Sequence, residues 1–221
     1  MQIKNYIIAS ISSCGLLMVV LLAPPPQEVA KADPASSTST FGELTVTENL
    51  IRQEILRLNG DWESGSKPKL VAFLGKEFKS NHYEMLSHLP TLEYFFVQNG
   101  SVVDNYAVKC LSTVTSLKRL DFVRCEFDTT CLSLLDSNRD LRELNFEEVN
   151  FTDSLLHGMT QLNRVEKLTL SHVDLSDVAD KSIDRIARME SLKKCQIWDC
   201  RGVSSERIKQ LTREFPNIEW K

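Results

Sequence analysis

The sequence predicts an α/β fold in which short parallel strands alternate with helices and stack as a solenoid. Two observations predict it. An apolar pattern (apolar, two variable, apolar, one variable, apolar) recurs at intervals of 25, 24, 24 and 27 residues. Between the copies, apolar residues recur with the period of a helix rather than that of a strand. Because one strand and one helix cannot bury their apolar faces alone, several copies must stack to form a core.

The N-terminal segment has the features of an export signal. Lys4 precedes an uncharged stretch over residues 6–23, and the Ala-Lys-Ala sequence at 30–32 offers a cleavage site. We therefore assign residues 1–32 to a signal peptide. The alternative is an uncleaved anchor, since the apolar stretch is close to the lower length limit for spanning a bilayer. Residues 33–42, rich in Ser, Thr, Ala and Pro, are predicted to form a disordered linker.

Residues 43–66 are predicted to form an N-terminal cap built on a helix. Residues 45–48 spell a capping box, Thr-Val-Thr-Glu. The apolar residues that follow at helical spacing are Ile51, Ile55 and Leu58. The Asn-Gly pair at 59–60 is expected to end the helix. We expect this cap to cover the first strand of the stack.

Residues 67–221 hold about five to six copies of the pattern. The clear copies begin at Leu92, Leu117, Leu141, Val165 and Leu192. Ile218, 26 residues further on, is predicted to begin a sixth copy, and Leu70 with Phe73 a weaker one at the other end. The returns between strands are predicted to be helical, as shown by Ile183 and Ile186 on one stripe. The last strand has no predicted cap, so it is expected to form an exposed edge.

The copies resemble the leucine-rich-repeat family, whose pattern is L-x-x-L-x-L-x-x-[N/C]-x-L, over roughly residues 90–221. The copy that shows it most fully contains Leu117, Leu120, Phe122, Cys125 and Phe127. The helical returns resemble the cysteine-containing and ribonuclease-inhibitor-like subclasses. The resemblance implies strands on a concave face and helices on a convex face.

The resemblance also implies an inward direction for the side chain at the [N/C] position. Cys125 and Cys200 occupy this position, where they are expected to pack in the core. Gly100, Val149 and Val173 depart from the family's residue there, so we expect the ladder of polar side chains to be incomplete.

Composition and motifs argue against several other functions. The net charge is −4 and no long basic run occurs, which gives no support for a nucleic-acid partner. Five cysteines lie beyond the leader, an odd number with no disulfide spacing. Cys125 and Cys200 should be about 14 Å apart across three strand spacings, beyond disulfide reach. Zinc-type histidine spacing and nucleophile, phosphate-loop and dinucleotide motifs are missing, so we predict no enzyme, cofactor or metal.

The resemblance implies that function resides on the strand face, where the variable positions of each copy point outward. Counted from the first leucine, these are positions 3, 5 and 7. The candidate protein-binding residues are Tyr94, Phe96, Gln98, Arg119, Asp121, Glu143, Asn145, Lys167, Lys194, Gln196 and Trp198. Exposed aromatic residues favour a groove for a protein or peptide. The alternative is that the cap covers Phe96 and the last strand covers Trp198.

We therefore expect a monomeric, non-enzymatic interaction module, exported to act at or outside the cell envelope: periplasmic, extracellular or anchored by its N-terminus. Membrane contact is expected only through the N-terminal segment, if it is uncleaved. Three alternatives stay open: an intracellular adaptor of the F-box-like or mitochondrial coupling-factor-like kind, a self-assembling structural protein, and a binder of glycan or peptidoglycan. Repeat folds are reused for unrelated tasks, so fold alone does not choose between them.

Overall fold

The fold is described from a computed structural model. It describes residues 46–62, 68–75, 77–99, 102–128, 130, 132–176 and 180–221. The predicted signal segment and linker, the first residue of the capping motif and Cys131 lie outside these ranges. None of the helices in the described part is long and apolar enough to span a membrane.

The described residues form a mixed α/β fold around one mostly parallel sheet, which confirms the α/β part of the predicted fold and the parallel direction of most strands. The strands are β1 (Gly60–Trp62), β2 (Leu70–Phe73), β3 (Tyr94–Gln98), β4 (Val102–Asp104), β5 (Arg119–Val123), β6 (Glu126–Asp128), β7 (Glu143–Glu147), β8 (Lys167–Ser171), β9 (Lys194–Trp198) and β10 (Glu219–Trp220). The main sheet has eight of these strands, in the order β1-β2-β3-β5-β7-β8-β9-β10, and β4 pairs with β6 separately. Only the β1–β2 pairing is antiparallel in the main sheet.

Helical segments connect the strands. They are α1 (Val46–Arg57), α2 (Tyr83–Leu86), α3 (Asn105–Thr113), α4 (Asp153–Met159), α5 (Asp180–Ala187) and α6 (Ser205–Glu214), with 3₁₀ turns at Ser80–His82 and Leu132–Ser137. Three of the helices begin at a side chain that accepts a backbone N–H bond, at Asp104, Thr152 and Ser204. Such caps satisfy donors that a helix leaves unpaired.

In the centre of the sheet, the strand register follows the predicted spacing. Tyr94 pairs with Arg119, Arg119 with Glu143, Glu143 with Lys167, and Lys167 with Lys194. These residues hold the same position in successive copies of the pattern. Along each strand, the positions that alternate with the polar face, positions 4 and 6, face the core. Leu120 and Phe122 hold these positions in β5 and are fully buried.

At both ends of the sheet, the predicted register is wrong. Leu70 pairs with Tyr94, so it occupies the third position of its copy rather than the first, and Val71 and Phe73 fill the core. Glu219 pairs with Lys194, one residue away from the predicted alignment. The reason is the side chain of Trp220, which packs against the core and donates from Nε1 to the Phe215 carbonyl at 3.3 Å.

The cap region contains a helix and a strand, where the sequence predicted a helix alone. Helix α1 ends before Asn59, whose φ of 54° is left-handed, and β1 then pairs with β2. A Cβ at Gly60 would lie 2.7 Å from the ring of Phe73, so only glycine allows this close approach. Trp62 is buried at the end of β1 and closes the core on this side.

Each central strand ends at a residue in the left-handed region, a feature that the sequence analysis missed. These residues are Asn99, Arg124, Glu148, His172 and Asp199, with φ between 49° and 67°. All hold position 8 of their copies. A φ above zero is uncommon for residues other than glycine, although Asn, His and Asp, which occupy three of these positions, adopt it more often than most. Strands β4 and β6, which follow the turns at Asn99 and Arg124, pair with each other in parallel.

Candidate interaction face of the sheet

The eleven candidate residues lie on strands β3, β5, β7, β8 and β9 at alternate positions, so they share one face of the sheet. We call it the polar face. It is defined by Tyr94, Phe96, Gln98, Arg119, Asp121, Glu143, Asn145, Lys167, Lys194, Gln196 and Trp198. Nine of these residues are half-buried, Trp198 is exposed, and Asp121 is buried.

Three of the residues form a hydrogen-bonded cluster at the β3–β5 end. The hydroxyl of Tyr94 donates to Asp121 Oδ2 at 2.6 Å. Arg119 donates to both oxygens of the same carboxylate, at 2.8 and 2.7 Å. The Arg119 guanidinium also lies 4.7 Å from the centre of the Tyr94 ring. A positive charge placed over an aromatic ring is attracted to its face, so the cluster is held by hydrogen bonds and by this cation–π contact.

The cluster changes the acid–base behaviour of its members. Burial, followed by the neighbouring Asp121 carboxylate, raises the pKa of the Tyr94 phenol well above its ordinary value. The hydrogen bonds from Arg119 to Asp121 raise the pKa of the guanidinium. Both groups therefore keep their protons at neutral pH and continue to donate to the carboxylate.

The prediction that Asp121, at position 5 of its copy, is open to a partner is wrong. Its residue surface is only 2% exposed. Both of its carboxylate oxygens accept hydrogen bonds from Tyr94 and Arg119, so a partner cannot contact this carboxylate directly. Arg119 also covers part of the Tyr94 ring, so this end of the polar face is less aromatic than the sequence suggested.

The other charges of the polar face are paired across strands. Glu143 Oε2 lies 3.9 Å from Arg119 Nη1 and 3.2 Å from Lys167 Nζ. Lys194 Nζ lies 3.3 Å from Glu219 Oε1, a partner that was not among the candidates. Exposed pairs of this kind contribute little to stability. Their effect is to leave no field of a single sign on this face.

A second row of paired charges runs beside the first, at position 2 of each copy. Glu93 lies between Lys69 at 3.3 Å and Lys118 at 2.9 Å. Glu166 lies between Arg142 at 3.5 Å and Lys193 at 2.7 Å. The sequence analysis missed this row because it considered only positions 3, 5 and 7.

The β9 end of the polar face carries the exposed aromatic side chain. Trp198 is 46% exposed. Its backbone pairs with Ser171 on one side, and the described residues of β10 pair with β9 only at Lys194 and Cys195. The alternative that the last strand covers Trp198 is therefore wrong. Phe96 is half-buried and pairs with Ala72 of β2, so the cap-side strands cover part of it.

A serine, a histidine and an aspartate meet beside Trp198. Ser171 Oγ lies 2.8 Å from His172 Nδ1, and His172 Nε2 lies 3.6 Å from Asp199 Oδ2. A hydrolytic set needs a buried carboxylate that orients the imidazole. The Asp199 side chain is 73% exposed, and the serine and histidine are chain neighbours. We interpret these contacts as a surface contact between His172 and Asp199 and a local hydrogen bond between Ser171 and His172.

The two cysteines at the [N/C] position turn inward, as the resemblance implied. Cys125 is buried and donates to the carbonyls of Val97 at 3.6 Å and Val123 at 3.5 Å. Cys200 is half-buried and makes the same kind of contact with Leu170 at 3.5 Å. Both are free thiols. Burial raises the pKa of Cys125 to about 12 and raises that of Cys200.

Neither a search for metal-binding groups nor comparison with known proteins assigns a site or a family. In the part of the chain that the structure describes, no three His, Cys, Asp or Glu residues are grouped so as to hold a metal ion. Comparison with models of known protein families and with curated proteins gives no match.

Proposed function

We propose that this chain is a leucine-rich-repeat solenoid that binds a protein partner through its polar face. Three features support the repeat assignment. The central strands pair at the spacing of the sequence pattern. A left-handed residue ends each of them at the same position. Cys125 and Cys200 donate to carbonyls of the preceding copy, which agrees with the inward direction that the resemblance implies for the [N/C] position.

The observation that carries the binding proposal is the exposed indole of Trp198. A tryptophan that keeps 46% of its surface in water leaves a large apolar area uncovered. Tryptophan is also among the residues most enriched at the energetic centres of protein interfaces. Around it stand polar and paired charged groups, including Gln196 and Lys194, which suit the wetter rim of an interface. A protein or peptide surface with an apolar centre fits this arrangement.

An affinity capture experiment tests the binding proposal. Residues 33–221 serve as bait for envelope and extracellular fractions, beside a Phe96→Ala/Trp198→Ala variant. Leu134→Ala is the matched control, because Leu134 is 45% exposed but lies on a 3₁₀ turn outside the polar face. We expect a protein captured by the wild type and the control and lost by the folded double variant. Equal capture by all three would contradict the proposal.

We also propose that the protein is exported and has no enzymatic activity. The leader sequence supports export, and the charge pairing of the polar face supports a contact surface rather than a reactive site. Mass spectrometry of the protein from its native source should find a mature N-terminus at residue 33. An intact leader on protein recovered from the soluble cytosol would instead favour the intracellular adaptor.

Self-assembly is the second candidate function, because β10 forms an edge of the sheet with only two residues in it. An edge strand can pair with a strand from another chain. Light scattering over a concentration series separates the two functions. A mass that rises with concentration, and no longer does so after deletion of residues 216–221, would favour assembly over partner binding.

A further inference from the structure

A second candidate surface lies between two helices, away from the polar face. Helix α4 contacts α5, and residues at and just after their C-terminal ends lie around one opening. A cavity of about 300 Å³ opens there. Its lining residues are His157, Thr160, Gln161, Arg185 and Arg188. We call it the helix-end cleft.

The charges of this cleft are unbalanced, in contrast with those of the polar face. Neither Arg185 nor Arg188 has a carboxylate within ion-pair distance among the described residues, and both are exposed. The acidic neighbour on the same helix, Asp184, is held by Arg207 of α6. Arg185 in the last turn of α5 and Arg188 just after it therefore line one opening that has no carboxylate among its described lining residues.

The helix dipole explains only part of this arrangement. A cation near a helix C-terminus is favoured by the partial negative charge there. That effect favours the basic side chains of the cleft, but it does not account for the cavity or for Gln161 in its wall. Because the same partial charge disfavours an anion, the two guanidinium groups together must outweigh it.

We propose that the helix-end cleft binds a phosphate monoester group. A guanidinium presents a planar fork of N–H donors that matches two oxygens of a phosphate. Arg185 and Arg188 supply two such forks, and the side chains of Gln161 and His157 add further N–H donors. The Thr160 hydroxyl donates to the His157 carbonyl at 2.9 Å, which fixes the wall of the cleft between these residues. This site is independent of the partner proposed for the polar face.

A titration of the full chain with inorganic phosphate at constant ionic strength and about pH 7 tests the proposal. The readout is the NMR signal of the arginine Nε–H groups. We expect saturable shifts at Arg185 and Arg188, with a dissociation constant on the order of millimolar. An Arg185→Gln/Arg188→Gln variant should bind at least about tenfold more weakly. Arg139→Gln/Arg213→Gln makes the same change of charge on two other exposed arginines and should bind as the wild type does.

Two results would overturn the proposal. One is a linear shift that never saturates, and the other is equal weakening in both double variants, because each indicates general screening. Phosphoserine and phosphatidylcholine vesicles containing phosphatidate then identify the source of the group. Binding to phosphoserine indicates a soluble monoester, and co-sedimentation with the vesicles indicates a lipid headgroup. Binding to neither would contradict the assignment to a monoester.

Discussion

Asp121 is the polar-face residue whose surroundings differ most from those that the sequence predicted. Its carboxylate is 3% exposed and accepts hydrogen bonds from Arg119 and Tyr94. Asp121→Asn should lower the free energy of unfolding by about 2 kcal/mol, because hydrogen bonds to a buried charge are lost. Urea denaturation measures this. The control Asp128→Asn makes the same change on an exposed residue of β6 and should change stability little; equal effects would contradict the cluster's role.

The Tyr94 phenol gives the same cluster a dependence on pH. Its folded-state pKa lies above its ordinary value of 10.0, so the folded protein holds this proton more tightly than the unfolded chain. The stability it contributes is complete below about pH 10 and is lost as the pH rises further. The free energy of unfolding, measured from about pH 8 to 11, should therefore fall more steeply with pH for the wild type than for Tyr94→Phe. Identical slopes for the two proteins would contradict the hydrogen bond from the Tyr94 phenol to Asp121 as the cause of the pH dependence.

Cys125 should be unreactive in the folded protein. Burial raises its pKa to about 12, and the reactive species is the thiolate. Alkylation with iodoacetamide at about pH 8, followed by mass spectrometry, should leave Cys125 unmodified until denaturant is added. The half-buried Cys200 is the internal comparison. Rapid labelling of Cys125 without denaturant would show that the turn at the end of β5 opens.

At the residue scale, the sequence predicts which face of the sheet a side chain lies on better than it predicts how deeply the side chain is buried. The pattern placed Asp121 on the polar face, and the structure confirms that placement. It could not predict burial, because the groups that cover Asp121 depend on side-chain directions. Tyr94 comes from a strand 27 residues earlier and reaches Asp121 diagonally rather than from the paired position.

At the element scale, the left-handed residue at the end of each central strand is a backbone requirement that sequence did not reveal. Glycine adopts this conformation without the steric cost that a Cβ incurs. We predict that Glu148→Gly is more stable than Glu148→Ala by about 1 kcal/mol, since both lose the ion pair with Arg124 and only alanine carries a Cβ. Chemical denaturation of the two variants measures the difference.

The control for this comparison is Lys109 on helix α3, where the order should reverse. There, Lys109→Ala should be more stable than Lys109→Gly by about 1 kcal/mol. If glycine were the less stable replacement at both positions, the left-handed turn at Glu148 would not be a requirement of the fold.

The elements that sequence misplaced lie at the two ends of the sheet. In the central copies, polar residues alternate with apolar ones and determine which face is buried. Residues 70–73 are all apolar, so their pattern does not determine the face, and the predicted register was two residues off. Strand β1 was missed for a related reason, because Asp61 and Trp62 alone carry no strand period.

At the scale of the whole described region, the buried side chains form one continuous core. It extends from Ile51 in the cap to Ile218 beside the last strand. Aromatic contacts run through its centre, as between Phe122 and Phe146, whose ring centres are 5.8 Å apart. Such a core holds neighbouring copies of the pattern together, and the polar face lies outside it. The sequence predicted this division because it follows from the alternation within each strand.

Photocrosslinking from position 198 tests the central claim most directly. A photoreactive amino acid replaces Trp198 in one protein and Leu134 in another, and each is irradiated in the native cell envelope fraction. We predict one dominant crosslinked protein from position 198 that is absent from position 134. The same crosslinks from both positions, or none from position 198 in a folded protein, would contradict binding through the polar face.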